Sequence, residues 1–261
     1  MDSLGTYHKP EASWEEILGG SITTAPELAS VFPIEEPDIR KVTSLYPMLI
    51  NPYYLGLISK KGDPIYLQAV PDLREVTMTR GFVDPLEEEG LSPVPGLTHK
   101  YPDRVLFLVS GRCAMFCRFC NRKRKIGRSP MVTQETLKEG ISYIRAHKKI
   151  RDVLLSGGDP LLLPDKELFK ILCAVRSIPH VEIIRIGTRV PCTLPQRITP
   201  QLAALLKGFH PLSSTPTSTT RRRSPPRPPL PVPGWRMRGY PWVARPFSSR
   251  GSTTILRSWP N

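Results

Sequence analysis

Three cysteines spaced C-x3-C-x2-C, Cys113, Cys117 and Cys120, follow closely on the apolar run Val105-Leu-Phe-Leu-Val109. Iron–sulfur clusters are ordinarily tied down by four thiolates. Three thiolates on one short loop, with no fourth nearby, hold three irons of a four-iron cluster and leave the fourth open to a small chelating ligand. A chain built this way must present one loop at the end of a buried strand, next to a pocket. Five cysteines in 261 residues do not suggest a disulfide framework, and the triad calls for a reducing compartment.

S-adenosylmethionine suits the open iron, because its methionyl end carries an amine and a carboxylate and its sulfonium can take an electron from the cluster. The competing reading is a Cys3His zinc site with a fourth ligand such as His99 or His147. Zinc sites more often pair their cysteines as C-x2-C twice, a pattern absent here. Cys173 and Cys192 read as ordinary buried thiols.

Alternation of short apolar runs with helical periodicity sets the fold class. Val105–Val109, Asp152–Ser156 and Val181–Gly187 have the character of buried strands. A helix is expected from Thr133 to Lys149, capped by Thr133, with Leu137, Ile141 and Ile144 on one face. A second is capped by Asp165, with Leu168, Ile171, Leu172 and Val175 on one face, and a third has Pro200 in its first turn. Three strand–helix units predict an α/β fold with a parallel sheet and right-handed crossovers. If that sheet curls into a barrel, its chemistry sits at the strand C-termini, where both the cysteine loop and Ser156-Gly157-Gly158-Asp159 fall.

Charge is unevenly spread. The net charge is +14, but nine of the 37 basic residues lie beyond residue 210, where there is no lysine, aspartate or glutamate. The start of the chain shows no basic segment leading into an apolar run, and no apolar stretch reaches the ~20 residues a bilayer needs. A soluble, cytoplasmic protein is expected, without a membrane partner.

Several longer stretches carry a resemblance. Tyr101-Pro-Asp-Arg104 with the following strand, the triad running into Asn121-Arg-Lys-Arg124, Ser156-Gly-Gly-Asp-Pro-Leu-Leu-Leu163, Ile178–Gly187 and Leu194–Pro200 are similar to the lysine 2,3-aminomutase family. Upstream, Asn51-Pro-Tyr-Tyr54 and Ser92–His99 extend the likeness, which covers about residues 12–212. It implies a partial radical SAM (β/α) barrel of about three βα units, residues 101–212, behind a mainly helical or irregular extension, residues 1–100, that wraps it. It also implies an isomerase that moves an amino group from carbon 2 to carbon 3 of an amino acid. Its cofactors would be a 4Fe-4S cluster on Cys113, Cys117 and Cys120, S-adenosylmethionine and pyridoxal 5′-phosphate.

By position, the resemblance assigns Ser156, Gly157, Gly158, Asp159 and Arg189 to S-adenosylmethionine and Tyr101 and Arg104 to pyridoxal phosphate. Arg122 would form a bidentate pair with the substrate carboxylate. The substrate would be lysine, glutamate or a protein-bound lysine, the reductant a flavodoxin or ferredoxin, and the family makes an oligomer an option. Duller readings stand beside these: a plain turn at the glycine pair, a salt bridge at Arg104, a solvated loop charge at Arg189. Arg122–Lys125 with Arg128 could serve nucleic acid, though their place beside the cysteines favours carboxylate and phosphate. Where the family usually has histidine between the last two cysteines, this chain has Phe119. The alternative function is a zinc-binding, basic nucleic-acid module.

After Leu212 the likeness stops, and Ser213–Ser224 has no large apolar side chain. Written in permitted codons and regrouped by one base, this stretch reads Phe-Val-Asn-Thr-His-Phe-Asn-His-Pro-Ala-Glu-Val, which resembles the family's continuation. A frameshift near Leu212 is therefore expected, with residues 213–261 an out-of-frame, disordered tail; a naturally evolved basic extension is the alternative. The family's Schiff-base lysine and the acidic residues that read the substrate side chain lie further on, whereas this chain has no lysine after Lys207 and no acidic residue after Glu182. The expectation is an inactive half-barrel with the edge of its third strand exposed.

Overall fold

The computed structural model describes residues 12–78, 82–128, 132–209 and 212–216. Six short helices come first: α1 (Trp14–Gly19), α2 (Ala25–Ala29), α3 (Glu36–Leu45), α4 (Pro52–Gly56), α5 (Tyr66–Ala69) and α6 (Arg74–Thr77). Then follow β1 (Leu97–Tyr101), β2 (Arg104–Ser110), α7 (Gln134–Ala146), β3 (Asp152–Gly157), α8 (Asp165–Arg176), β4 (Ile183–Thr188), α9 (Val190–Thr193), α10 (Pro200–Lys207) and β5 (Leu212–Pro216). The sheet order is β1-β2-β3-β4-β5, with β1 antiparallel to β2 and the other pairs parallel. No helix among the described residues is long and apolar enough to cross a membrane.

The βα alternation is as the periodicity requires, and its start signals are visible in the hydrogen bonds. Thr133 caps α7 by accepting from Thr136 N, while Thr136 Oγ1 accepts from Thr133 N. Thr199 caps α10 by accepting from Leu202 N, with Pro200 in the first turn. At α8 the cap position is Pro164, and Asp165 is the first helical residue, one place from where the sequence suggests.

The first strand of the series, Val105–Val109, was expected to be buried on both faces, and the structure corrects this. Val105, Phe107, Val109, Val153, Leu155, Ile184 and Ile186 pack on Ile144, Leu168, Leu172 and Val175 of α7 and α8. The opposite face, with Leu106, Leu154, Ser156, Arg185 and Gly187, lines a cavity. A strand that serves a core on one side and a cavity on the other can still read as continuously apolar, because Leu106 and Leu154 sit on the cavity side.

Two further expectations change. A fourth parallel strand, β5, pairs with β4 from Ile184↔Leu212 to Thr188↔Pro216, so the third strand of the series is not the sheet edge. Regular backbone thus runs four residues past the boundary expected at Leu212. Strand pairing uses backbone groups that any residue supplies, and a terminal proline is tolerated at an edge. The remainder of the expected tail, from residue 217, lies outside the described residues, as do residues 1–11. Cys173 is exposed on α8 rather than buried, and Cys192 is partly buried.

Among the described residues, the expected N-terminal extension carries six short helices joined by irregular segments, but its last element, β1, belongs to the sheet. A second apolar cluster gathers Leu28, Ile39, Met48, Ile50, Tyr54, Tyr66 and Val70 from the extension around Met115 of the cysteine loop. The loop is therefore packed between the sheet and the extension.

Candidate functional site

The three parallel strands β2, β3 and β4 end in the cysteine loop, in Gly157-Gly158 and in Thr188-Arg189, and all three segments line one cavity of about 410 Å³. Cys113, Cys117, Cys120, Ser156, Gly157, Gly158, Asp159, Arg189 and Arg122 are all in its wall. Sequence alone placed the first two segments at one mouth, and the structure adds the third.

Local packing explains the glycine pair. A Cβ on Gly157, whose φ is +122°, would lie 2.2 Å from Ser110 O; one on Gly158 would lie 2.2 Å from Arg112 O and 2.9 Å from Cys113 Sγ. Gly158 N donates to Ser110 O and Asp159 N to Arg112 O, both at 2.6 Å. The space a side chain would fill is occupied by the cysteine loop itself, so the pair lets β3 dock against that loop.

Asp159 is turned away from a ligand role. Its carboxylate accepts from Thr188 Oγ1 at 2.7 Å, Arg189 N at 2.7 Å, Val190 N at 3.2 Å and Leu161 N at 3.1 Å. Burial pushes its pKa up against the pull of these donors. The side chain expected to meet S-adenosylmethionine instead ties the end of β3 to the start of α9.

Arg189 lies inside the site rather than in solvent. Its Nη1 is 2.6 Å from Cys117 Sγ, its Nη2 donates to Gln68 Oε1 at 2.7 Å, and its guanidinium sits 5.1 Å from the centre of the Phe119 ring. Phe119, the departure from the family's histidine, thus offers its face to a cation.

Arg122 has the bidentate geometry expected of it, but with a carboxylate of this chain. Nε and Nη2 donate to Glu88 at 2.8 and 2.6 Å, and Nη1 faces Ser156 Oγ at 3.4 Å. The rest of the basic run is likewise matched: Lys123 with Glu75, Arg124 with Asp84 and Glu89, Lys125 with Glu89. Arg128 donates to Leu45 O. Arg122, Lys123, Arg124 and Lys125 are thus each held by a carboxylate of this chain, which leaves less free charge for a nucleic-acid backbone.

Tyr101 and Arg104 lie at the other end of β2, outside this cavity. Arg104 pairs with Asp103 at 2.9 Å and its guanidinium is 5.7 Å from the Tyr101 ring centre. Arg104 alternates with Leu106, so it belongs to the cavity-facing side of the strand at its far end. The Asp103 carboxyl is held down at about 2, chiefly by Arg104.

Burial first, then Cys117 and Asp159, push the Cys113 thiol well above its ordinary value, and burial raises Cys120; bound metal would reverse this. Among the described residues no three His, Cys, Asp or Glu side chains gather around a single-ion position. Zinc, at about 2.3 Å from each sulfur, would need its thiolates drawn tightly together, whereas a cube that gives one iron to each thiolate spreads them around its corners. The candidate fourth zinc ligands are elsewhere: His99 Nδ1 is 2.8 Å from Tyr143 Oη, and His147 stacks on Tyr143 at 3.8 Å. A 4Fe-4S cluster on Cys113, Cys117 and Cys120 fits, with Arg189 and the β3 terminus beside its open side. Pyridoxal phosphate fits incompletely. Among the described residues the one lysine in the cavity wall is Lys123, bound to Glu75 at 3.1 Å and 4.3 Å from the Tyr46 ring centre, so none of them is a lysine free to hold an aldehyde.

Sequence reading missed Asn51, Gln68, Glu75, Glu88 and Arg118 as parts of the site. The only signal for the acidic members was the complementarity of Glu87-Glu88-Glu89 to Arg122–Lys125. Asn51, fully buried, donates to Ala114 O at 2.8 Å and Thr193 O at 2.9 Å, a role without any local signature.

Comparison with known proteins agrees with this geometry. Residues 107–213 match the Radical SAM superfamily. An L-lysine 2,3-aminomutase of Methanococcus maripaludis is 51% identical over 183 residues, 68% of this chain and 42% of that protein. The L-lysine 2,3-aminomutase of Bacillus subtilis is 43% identical over 230 residues, 79% of this chain and 49% of that protein. A glutamate 2,3-aminomutase of Clostridioides difficile is 39% identical over 218 residues, 80% of this chain and 52% of that protein. The chain spans about half the length of these relatives. Three thiols, a glycine-paired strand end and an arginine around one cavity thus go together with a radical SAM match over residues 107–213, and over the part they share the chain is similar to these 2,3-aminomutases.

Proposed function

We propose that this chain is the cluster-binding and S-adenosylmethionine-binding part of an aminomutase that moves an amino group from carbon 2 to carbon 3 of an α-amino acid. The observation that carries the reading is the convergence of Cys113, Cys117, Cys120, Gly157-Gly158 and Arg189 on one cavity at the ends of three parallel strands. When bound, the cluster supplies the electron that splits S-adenosylmethionine and begins radical chemistry.

The chain's own groups supply binding and shielding. Cys113, Cys117 and Cys120 hold iron. Backbone at Ser156–Gly158 approaches the methionyl end, and Arg189, the one guanidinium beside Cys117, exchanges its thiol contact for the carboxylate of the nucleoside. Arg122 keeps its side-on fork on Glu88 and offers its remaining N–H groups to a second carboxylate. That chemistry selects an α-amino acid, with lysine and glutamate the substrates named for the relatives. Arg104, with Tyr101, is the phosphate-binding end for pyridoxal phosphate, whose aldehyde finds no partner lysine in the described cavity. An electron carrier such as flavodoxin or ferredoxin, a reducing cytoplasm and a chain inactive as an aminomutase by itself complete the proposal.

Anaerobic reconstitution with ferrous iron and sulfide tests it. A brown protein with a thiolate-to-iron charge-transfer band, which releases 5′-deoxyadenosine from S-adenosylmethionine under reduction, is the expected result. A colourless protein with stoichiometric zinc would replace this reading with the zinc module, and conversion of lysine to β-lysine by the chain alone would overturn the inactivity.

A further inference from the structure

The cysteine loop is gripped from the N-terminal side along almost its whole length. Ala114 O accepts from Asn51 Nδ2 at 2.8 Å, Phe116 N donates to Leu49 O at 2.9 Å, and Arg118 N donates to Gln68 O at 2.8 Å. Arg118 stands between the second and third cysteines, and its side chain is 6% exposed. Its guanidinium makes a two-pronged pair with Glu75, Nε to Oε1 at 3.0 Å and Nη2 to Oε2 at 2.9 Å. It also donates to Pro47 O at 2.8 Å and to Tyr46 O at 3.3 Å. Glu75 is itself oriented by Asp72 N at 3.1 Å and Lys123 Nζ at 3.1 Å, and Lys123 lies three residues beyond Cys120.

Resting on the cluster reading above, we propose that Arg118 and Glu75 form a positioning clamp that sets the spacing of Cys117 and Cys120 for iron. Neither side chain is a ligand. Arg118 locks the two residues that separate those cysteines onto the α3–α4 connection, and Glu75 holds Arg118 and Lys123 on either side of Cys120. A planar five-donor fork is the group that can meet one carboxylate and two carbonyls together. Among the described residues, the loop that carries the three thiols contains no helix or strand of its own, so their separation depends on such an outside frame.

The test is the rate at which the reconstituted 261-residue chain loses its cluster to a chelator, together with iron per chain. Arg118→Met combined with Glu75→Leu replaces the buried pair by apolar groups of similar size, which need not lower stability. It is expected to lose its charge-transfer absorption about tenfold faster than the unaltered chain, the usual scale for groups that orient ligands. Arg197→Lys is the comparison: it disturbs another buried arginine, bound to Leu161 O, Leu163 O and Asp165, and is expected to lower the melting temperature while leaving cluster loss unchanged. Equal loss rates for the double variant and the unaltered chain, or the same acceleration in Arg197→Lys, would sink the clamp. An unaltered chain that takes up no iron would remove the cluster reading and the clamp with it.

Discussion

Gly158 shows how closely a single atom can govern this site. Its missing Cβ leaves room for Arg112 O and Cys113 Sγ, so Gly158→Ala must push the first cysteine outward or bend β3. Overpacking of this kind costs about 1–3 kcal/mol; the expected outcome is a folded chain with clearly less iron per molecule after reconstitution, checked by iron assay and circular dichroism. Asp63 supplies a pH test away from the thiols. Burial alone would raise its pKa, but N–H groups of Tyr66, Ser59, Ile65 and Lys60 prevail and lower it. A depressed folded value means that its stabilisation is full above the unfolded value and is lost as pH falls through the folded one. Asp63→Asn is therefore expected to lower the melting temperature at pH 7, with the gap to the unaltered chain closing below about pH 4.

Residue identities were legible where chemistry is local. The triad needs only its spacing, and the glycine pair only its place after a strand. Asp159 misled because a carboxylate after two glycines looks the same in sequence whether it faces a ligand or caps the next helix. Glu88 and Arg118 were invisible because their partners lie 34 and 43 residues away.

At the scale of elements, α7 approaches β2 closely at Gly140. A Cβ on Gly140 would lie 2.3 Å from Cε2 of Phe107, which is fully buried. Gly140→Ala is expected to raise helix propensity yet destabilise by about 1–3 kcal/mol, because the ring has nowhere to move; a thermal melt followed at 222 nm gives the sign. Helices α7 and α10 were legible because periodicity and start signals agree: Thr133 caps the first as its type demands, and Pro200 stands in the first turn of the second. The N-terminal helices were less so, since α4, α5 and α6 are four or five residues long and too short to show a period. β5 was missed outright, because Leu212-Ser-Ser-Thr-Pro216 has none of the apolar alternation that marks a strand, and its pairing comes from backbone alone.

For the molecule as a whole, the sheet and the extension are joined at Asn51, which caps α4 through Tyr54 N and binds carbonyls at Ala114 and Thr193. Asn51→Ala leaves both carbonyls buried without their donor, and a loss of at least ~2 kcal/mol is expected. Denaturant unfolding monitored by tryptophan fluorescence would show it as a lower midpoint at unchanged slope. The overall class of the fold followed from the order of runs, but the depth to which the extension enters the site did not, since hydrogen bonds between residues 46–75 and 114–123 leave no periodic trace.

The bonds that reach Ala114 from Asn51, and Asn51 from Thr193, also bear on the order of events during synthesis. The loop that carries Cys113, Cys117 and Cys120 draws its frame from segments made both before and after it. A ribosome that has just released Cys120 presents thiols with only half of their scaffold. A cluster on Cys113, Cys117 and Cys120 would find this frame complete only once residue 193 has been made and Thr193 O can accept from Asn51.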